Sequence, residues 1–347
     1  MLVRYARQDN GRREKIAEIY TKQEHNIRRD QIDRDAVKII NRLRSKGFQA
    51  FVVGGAVRDL LLSKDPKDFD IVTDAYPRRI RKLFWNSRVI GKRFRLVHIH
   101  FGEKIIEVST FRSKDTENNN IFGNIAEDAT RRDFSINALY YCPVKEQLFD
   151  YVEGFKDFTK KKLRMLMDPD DSFSEDPVRM IRAIKYSAIT SFKLPSSLQN
   201  SIKKQGSRLL HCSVSRLTEE IFKILQSGES GAIFSSMEKL DILQYILPKI
   251  NRYIQGKEFS AKKQAFYTAL DKLDQLIREG GAKSGKGFFL HYMVKGFLNE
   301  ENLNPSDRLS IHSACFRWIK EIITPITPPN KEVEKACRKL VKEIIHH

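Results

Sequence analysis

The chain has 347 residues, 41% of them hydrophobic and 31% charged, enough for two or three domains with real cores. Lys and Arg outnumber Asp and Glu by 63 to 44, a formal charge of +19 that points to a polyanionic partner, either nucleic acid or an acidic membrane surface. Cys142, Cys212, Cys315 and Cys337 form no CxxC pair, which argues against a zinc knuckle or disulfide framework, and no apolar signal core or membrane-spanning run occurs, so the expectation is a cytoplasmic protein with no membrane partner.

Residues 1–34 are charged and weakly periodic and read as an extension with one helix. From Ala36, AVKIINRLRSKGF is an amphipathic helix stopped at Gly47. QAFVV follows as a strand, AVRDLLL as a helix opening straight after Gly54-Gly55, DFDIVTD as a second strand, and PRRIRKLF as a helix started by Pro77. RLVHIHF and KIIEVSTF, with Gly102 between them, make a hairpin. SKDTENNN reads as a mobile loop. Beyond Asp150 the texture turns helical, in EDPVRMIRAIKYSAI, VSRLTEEIFKILQS, AIFSSMEKLDILQYIL, AKKQAFYTALDKLDQLIRE, DRLSIHSACFRWIKEII and EVEKACRKLVKEII. The expectation is an α+β head followed by an all-helical body.

Chemistry concentrates in FVVGGAVRDLLLSKDPKDFDIVTDA, Phe51 to Ala75. On a strand Asp68 and Asp70 share a face, and two adjacent carboxylates repel unless a cation lies between them. Oxygen ligands of this kind suit Mg²⁺, with Mn²⁺ as a substitute, joined to substrate phosphates. Gly54 and Gly55 let phosphate oxygens approach backbone N–H groups, and Arg58 adds a charge-assisted contact. Acids for a metal beside glycines and arginine for a triphosphate make a nucleotidyl-transfer site in which an RNA 3′-hydroxyl displaces pyrophosphate. Glu107, beside Ile105 and Ile106, is a third candidate catalytic carboxylate. His98 and His100 share a strand face, but no third ligand completes a metal site there. Each piece alone has an ordinary reading as turn, solvated surface or helix ion pair; the ordered combination carries the signal.

That combination resembles motif A of the class II nucleotidyltransferases, which comprise bacterial poly(A) polymerases and CCA-adding tRNA nucleotidyltransferases. RRDFSINALYY (Arg131 to Tyr141), LFDYVEGFKDFTKKKLR (Leu148 to Arg164), EDPVRMIRAIKYSA (Glu175 to Ala188) and RLTEEIFKIL (Arg216 to Leu225) follow in the family's order. The resemblance implies a polymerase-beta-like head at residues 35–165, a helical neck for base recognition at 166–228 and a helical body and tail for RNA at 229–347. It also implies that Asp68 and Asp70 bind Mg²⁺ and that Gly55 and Arg58 hold the triphosphate. Arg132, Asp133 and Asn137 would contact sugar and phosphates, and Asp176, Arg179 and Arg182 the nucleotide. Lys185 stands where relatives usually carry arginine, which keeps the charge and loses the planar fork.

Asp176, Arg179 and Arg182 are spaced i, i+3, i+6, one stripe of a helix. Adenine and cytosine each present an exocyclic amine beside a bare ring nitrogen, so a carboxylate and a guanidinium accept both and reject guanine and uracil, without separating A from C. VIGKRFRLVHIHFG (Val89 to Gly102) and NIFGNIAEDATRRDF (Asn120 to Phe134) resemble the poly(A) polymerase versions of these segments. Lys92, Arg93 and Arg95 form a basic cluster that reads equally as a phosphate contact or a solvated strand end. The implied activity is addition of AMP from ATP to an RNA 3′ end. The end at KEIIHH, without a long basic tail, weighs toward the alternative, a CCA-adding or A-adding tRNA enzyme that also uses CTP. A third reading, an inactive RNA-binding protein, leaves Asp68, Asp70 and the Asp176–Arg179 pair unexplained. No His-Asp dyad signals an added phosphohydrolase.

Overall fold

Period-two alternation in the first half of the chain produces one mixed sheet whose two faces carry separate cores. A computed structural model describes residues 1–7, 13–91, 95–113, 121–256, 260–280, 285–298 and 308–345, and the chain divides into two units, Met1–Asp168 and Pro169–His347. In the first unit the strands are β1 (Leu2–Arg7), β2 (Arg13–Tyr20), β3 (Ala50–Val53), β4 (Asp70–Thr73), β5 (Ser87–Ile90), β6 (Leu96–Phe101), β7 (Lys104–Thr110), β8 (Leu139–Cys142) and β9 (Gln147–Asp150). Their spatial order is β1-β2-β9-β8-β3-β4-β7-β6-β5, and β4 with β7 is the parallel pair. The helices of this unit are α1 (Lys22–His25), α2 (Arg34–Ser45), α3 (Gly55–Leu61), α4 (Pro77–Leu83), α5 (Ile125–Thr130) and α6 (Gly154–Thr159).

Alternation decides which face each side chain joins. Val52, Ile71, Val97, Ile99, Ile106, Val108, Leu139 and Tyr141 pack with Ile39 and Ile40 of α2, Val57 and Leu60 of α3 and Ile80 of α4. Their neighbours Phe51, Val53, Val72, Tyr140 and Cys142 pack on the opposite face with Ile125 and Ala129 of α5. Strict alternation in a sheet covered on both sides is what sets Asp70, on the face of Val72, beside the second core.

Two sequence expectations change here, and one element is added. The N-terminal 34 residues are not an extension with one helix: β1 pairs with β2, and β2 pairs with β9 through Ile19 and Phe149. The strand pattern is hidden because the buried position 18 is a glutamate, satisfied by Tyr20, by Lys15 and by Lys156 of α6 at 3.1 Å. Burial alone would raise the Glu18 carboxyl, but hydrogen bonds from Lys15, Tyr20 and Lys156 win and hold it at about 2. Next, DFDIVTD is a strand only from Asp70; Asp68 precedes it, while Phe69 turns into the core. Finally, residues 87–90 form the edge strand β5. The 114–120 loop and Lys92 and Arg93 lie outside the described residues.

The second unit is helical: α7 (Pro169–Glu175), α8 (Val178–Thr190), α9 (Ser196–Gln205), α10 (Val214–Leu225), α11 (Ser230–Lys239), α12 (Leu243–Ile246), α13 (Pro248–Gln255), α14 (Ser260–Arg278), α15 (Lys286–Val294), α16 (Arg308–Ile322) and α17 (Asn330–Ile345). The run AIFSSMEKLDILQYIL is two helices, broken where Asp241 adopts φ 58°, a left-handed turn that a continuous helix cannot contain. The buried Asp274 carboxylate accepts from Ser230 N and Gly231 N at 2.8 and 2.9 Å, satisfying the first amides of α11. No described helix is long and apolar enough to cross a membrane.

Candidate functional site

Register brings the first acidic residue to the glycine turn. Val53, the last residue of β3, pairs with Asp70, the first of β4, so the chain turns at Gly54 beside the Asp70 carboxylate. Gly54 has φ 74°, a conformation that side chains rarely adopt. A methyl group there would lie 3.9 Å from both Asp70 Oδ2 and Arg132 Nη1, so a carboxylate and a guanidinium converge on this turn. A methyl on Gly55 would lie 3.6 Å from Arg58 Nη2.

Asp68 and Asp70 are both exposed. Glu107 reaches the same face by register. β4 and β7 run parallel with Ile71 opposite Val108, and one step back on both strands stand Asp70 and Glu107. Glu107 has a partner the sequence did not announce: its Oε1 lies 3.1 Å from His98 Nε2 on β6. The donors at this edge are carboxylate oxygens, exposed and beside an open turn, which fits a hard divalent cation that completes its shell with phosphate oxygens and water. Among the described residues no three His, Cys, Asp or Glu side chains are clustered closely enough to enclose a metal by themselves.

The cationic side is a hydrogen-bonded chain. Arg58, buried, donates from Nη1 to Asn137 Oδ1 at 3.1 Å and from Nε and Nη2 to Asp59 Oδ1 at 2.9 and 2.8 Å. Asn137 Nδ2 donates to Asp133 Oδ1 at 3.2 Å, and Asp133 Oδ1 also accepts from Phe134 N. Arg132 donates from Nη2 to Asp128 Oδ2 at 2.8 Å, from Nε to Tyr140 Oη at 3.1 Å and from Nη1 to Asn137 O at 3.3 Å. Tyr140 in turn donates to Asp128 Oδ2 at 2.7 Å. Burial alone would raise the Asp128 carboxyl, but the Arg132 charge and the Tyr140 hydroxyl outweigh it and leave it below its ordinary value. Gly54, Gly55, Arg58, Asp70, Arg132, Asp133 and Asn137 are thus held in one connected region. Asp128 and Tyr140, which aim Arg132, escaped the sequence reading; the i, i+4 spacing of Asp128 and Arg132 was the available signal.

In the second unit Pro177 breaks the expected single helix: α7 ends at Glu175 and α8 starts at Val178. Asp176 therefore stands before α8 rather than on one stripe with Arg179 and Arg182. Its Oδ1 accepts from Val178 N at 3.3 Å and its Oδ2 from Arg216 Nη2 at 2.6 Å. Arg179 N donates to Asp176 O at 3.0 Å, while its side chain donates to Glu175 Oε2 at 2.8 Å and Ser172 Oγ at 3.0 Å. Arg182 Nη1 lies 3.8 Å from Glu220 Oε1. Lys185 is buried, and its Nζ donates to the equally buried Glu220 at 2.6 Å. Glu220 is shared with Arg182 and Lys223, at 3.8 and 3.7 Å, so one carboxylate faces three cations. Glu175, Arg216 and Glu220 are the residues that sequence reasoning missed here.

Residues 50–164 match the family model described as the poly A polymerase head domain, and residues 191–254 the one described as a probable RNA and SrmB-binding site of polymerase A. Poly(A) polymerase I of Salmonella typhi is 38% identical over 277 residues, 75% of this chain and 60% of that protein. Poly(A) polymerase I of Haemophilus influenzae is 36% identical over 302 residues, 80% of this chain and 67% of that protein. The chain thus spans about two thirds or less of the length of these curated relatives. Among solved structures, the CCA-adding enzyme of Bacillus stearothermophilus in complex with CTP superposes with a TM-score of 0.60 at 22% identity, covering 89% of this chain and 82% of that one, a likeness of fold.

Proposed function

Because the chain belongs to the class II nucleotidyltransferase family of poly(A) polymerases and CCA-adding enzymes, we propose that it adds AMP from ATP to an RNA 3′ end and releases pyrophosphate. The observation that carries the reading is the convergence of the Asp70 carboxylate and the Arg132 guanidinium on the Gly54 turn. Asp68 and Asp70 would hold the divalent cation, with Glu107 beside them. Bound there, Mg²⁺ or Mn²⁺ would lower the pKa of the attacking 3′-hydroxyl and offset the charge of the leaving pyrophosphate.

Every other contribution comes from the chain itself. Gly54 and Gly55 leave the backbone open to phosphate oxygens. Arg58 and Arg132, already oriented by Asp59, Asn137 and Asp128, offer guanidinium edges to the triphosphate without first having to be ordered. Asp133 and Asn137 face the sugar and phosphates. Asp176 accepts from the exocyclic amine of adenine or cytosine while Arg179 donates to the adjacent ring nitrogen, with Arg182 near the nucleotide. Guanine and uracil would leave a buried donor or acceptor unpaired, at roughly 1–3 kcal/mol each.

The same pair accepts cytosine, so CCA addition to tRNA is the second reading. Two RNAs separate them, a tRNA ending before its CCA and an unrelated oligonucleotide, each with ATP, CTP or both. Long A tails on either RNA from ATP alone are expected; synthesis that stops after CCA, on the tRNA alone, would replace poly(A) addition with the second reading.

A further inference from the structure

The fold leaves one large aromatic side chain unused. Trp85, in the turn between α4 and β5, is 86% exposed, more than any other large hydrophobic residue in the described chain. The turn that carries it is fastened on every side. Arg81 Nη1 donates to the Trp85 carbonyl at 3.4 Å, and Asn86 Nδ2 donates to His100 O at 2.5 Å. His100 N donates to Asn86 O at 2.9 Å, and Ser87 Oγ to Phe84 O at 2.5 Å. Phe84, the residue before, is buried, with the Arg42 guanidinium 5.3 Å over its ring. A fixed backbone therefore presents a bare indole to solvent.

Its surroundings are cationic. Between Asp74 and Glu103 there is no acidic residue, while Lys and Arg fill eight of the 28 positions. Arg78, Arg79, Arg81, Lys82 and Arg88 are all exposed. Arg78, Arg81 and Lys82 recur at helical spacing and share one side of α4, and Trp85 follows two residues after the helix ends at Leu83. The candidate acids lie on the other face of the sheet: Ile80 and Phe84 hold α4 on the face of Val97 and Val108, opposite Asp70 and Glu107. Arg88 pairs in register with His98, His98 with Glu107, and Glu107 lies one parallel step from Asp70. Three strand spacings, about 14 Å, separate β4 from β5.

We infer that the α4–β5 turn is a binding site for single-stranded RNA, in which the Trp85 ring stacks on an unpaired base and Arg78, Arg81 and Lys82 contact flanking phosphates. A rigid aromatic face inside a basic field is the combination that holds single strands without reading sequence. A duplex would hide the base faces that the indole needs.

Binding is measured without ATP or metal, which keeps it independent of transfer. In the full chain carrying Trp318→Phe, Trp85 is the sole indole, and titration with oligo(A) should quench its fluorescence saturably. In the otherwise unaltered chain, Trp85→Ala should weaken oligo(A) binding about tenfold, while Trp85→Phe keeps most of the affinity. The KM for RNA should rise with that for ATP unchanged. Arg78→Glu and Lys82→Glu should each lower affinity and flatten the dependence of log K on log salt by about one contact. Unchanged fluorescence together with unchanged affinity of Trp85→Ala overturns the site, even in a protein that transfers AMP. So does equal quenching by heparin, which has no bases, or anionic vesicles binding through Trp85 while RNA does not. Quenching in a protein that transfers nothing would uphold the site and sink the transferase reading instead.

Discussion

The two candidate ligand regions manage charge in opposite ways. In the first unit the cations are locked: Arg58 and Arg132 each have carboxylate and amide partners, several of them buried, while Asp68, Asp70 and Glu107 remain at the surface. In the second, Asp176 and Arg179 are bound to replaceable neighbours, Arg216 with half its side chain exposed and Glu175 with about a third. A base can displace such partners at little cost, because ion pairs near solvent contribute little. A buried pair such as Arg132 with Asp128 cannot be exchanged without leaving a charge stranded. Under the proposed function the first region would be organised before substrate arrives, and the second would exchange one set of partners for another.

The largest effect should come from the exposed acids. Asp70→Ala should lower AMP transfer by at least about a hundredfold, and chelation by EDTA should do the same to the unaltered enzyme; transfer that survives either treatment removes the metal from the proposal. Next comes the locked cation. Asp128→Asn takes the counter-charge from Arg132, whose side chain is about one-fifth exposed, and should cost roughly 1.5–3 kcal/mol in urea unfolding. A loss no larger than that of a surface substitution would erase the contrast drawn above.

The exchangeable region predicts a change in choice rather than in stability. Asp176→Asn should reduce discrimination of ATP against GTP by roughly ten- to a hundredfold, with a urea midpoint close to the parent's. Lys185→Met tests the buried lysine: unfolding should become easier by about 1–3 kcal/mol, with the KM for ATP unmoved. A raised KM would place Lys185 at the nucleotide. The smallest effect is at acid pH. Glu18 titrates near 2 in the fold against an ordinary 4.5, so its stabilisation is complete above that ordinary value and is lost as the pH falls toward 2. Glu18→Gln should flatten the acid limb of stability.

What could be read from residues alone was whatever depends on local pattern. Gly54 and Gly55 punctuated a strand and a helix, and Pro77 started the next one, because those residues act through their own backbone. Hidden features all depended on distant partners. Glu18 masked a strand until Lys156, more than a hundred residues away, explained its burial. Lys185 showed no sign in the sequence of its buried partner Glu220. Pro177 is the exception, since its position inside EDPVR already announced the break between α7 and α8.

The pairing of β2 with β9 bears on where the first unit can be cut. The head-domain match begins at residue 50, yet the sheet does not end there. A fragment trimmed to that boundary would lose β2 from the side of β9 and α2 from one core, baring a hydrogen-bonding edge that contains Leu148 and Phe149. Open edges of this kind recruit other chains. Recombinant heads begun at residue 50 should therefore precipitate, and those begun at Met1 should remain dispersed.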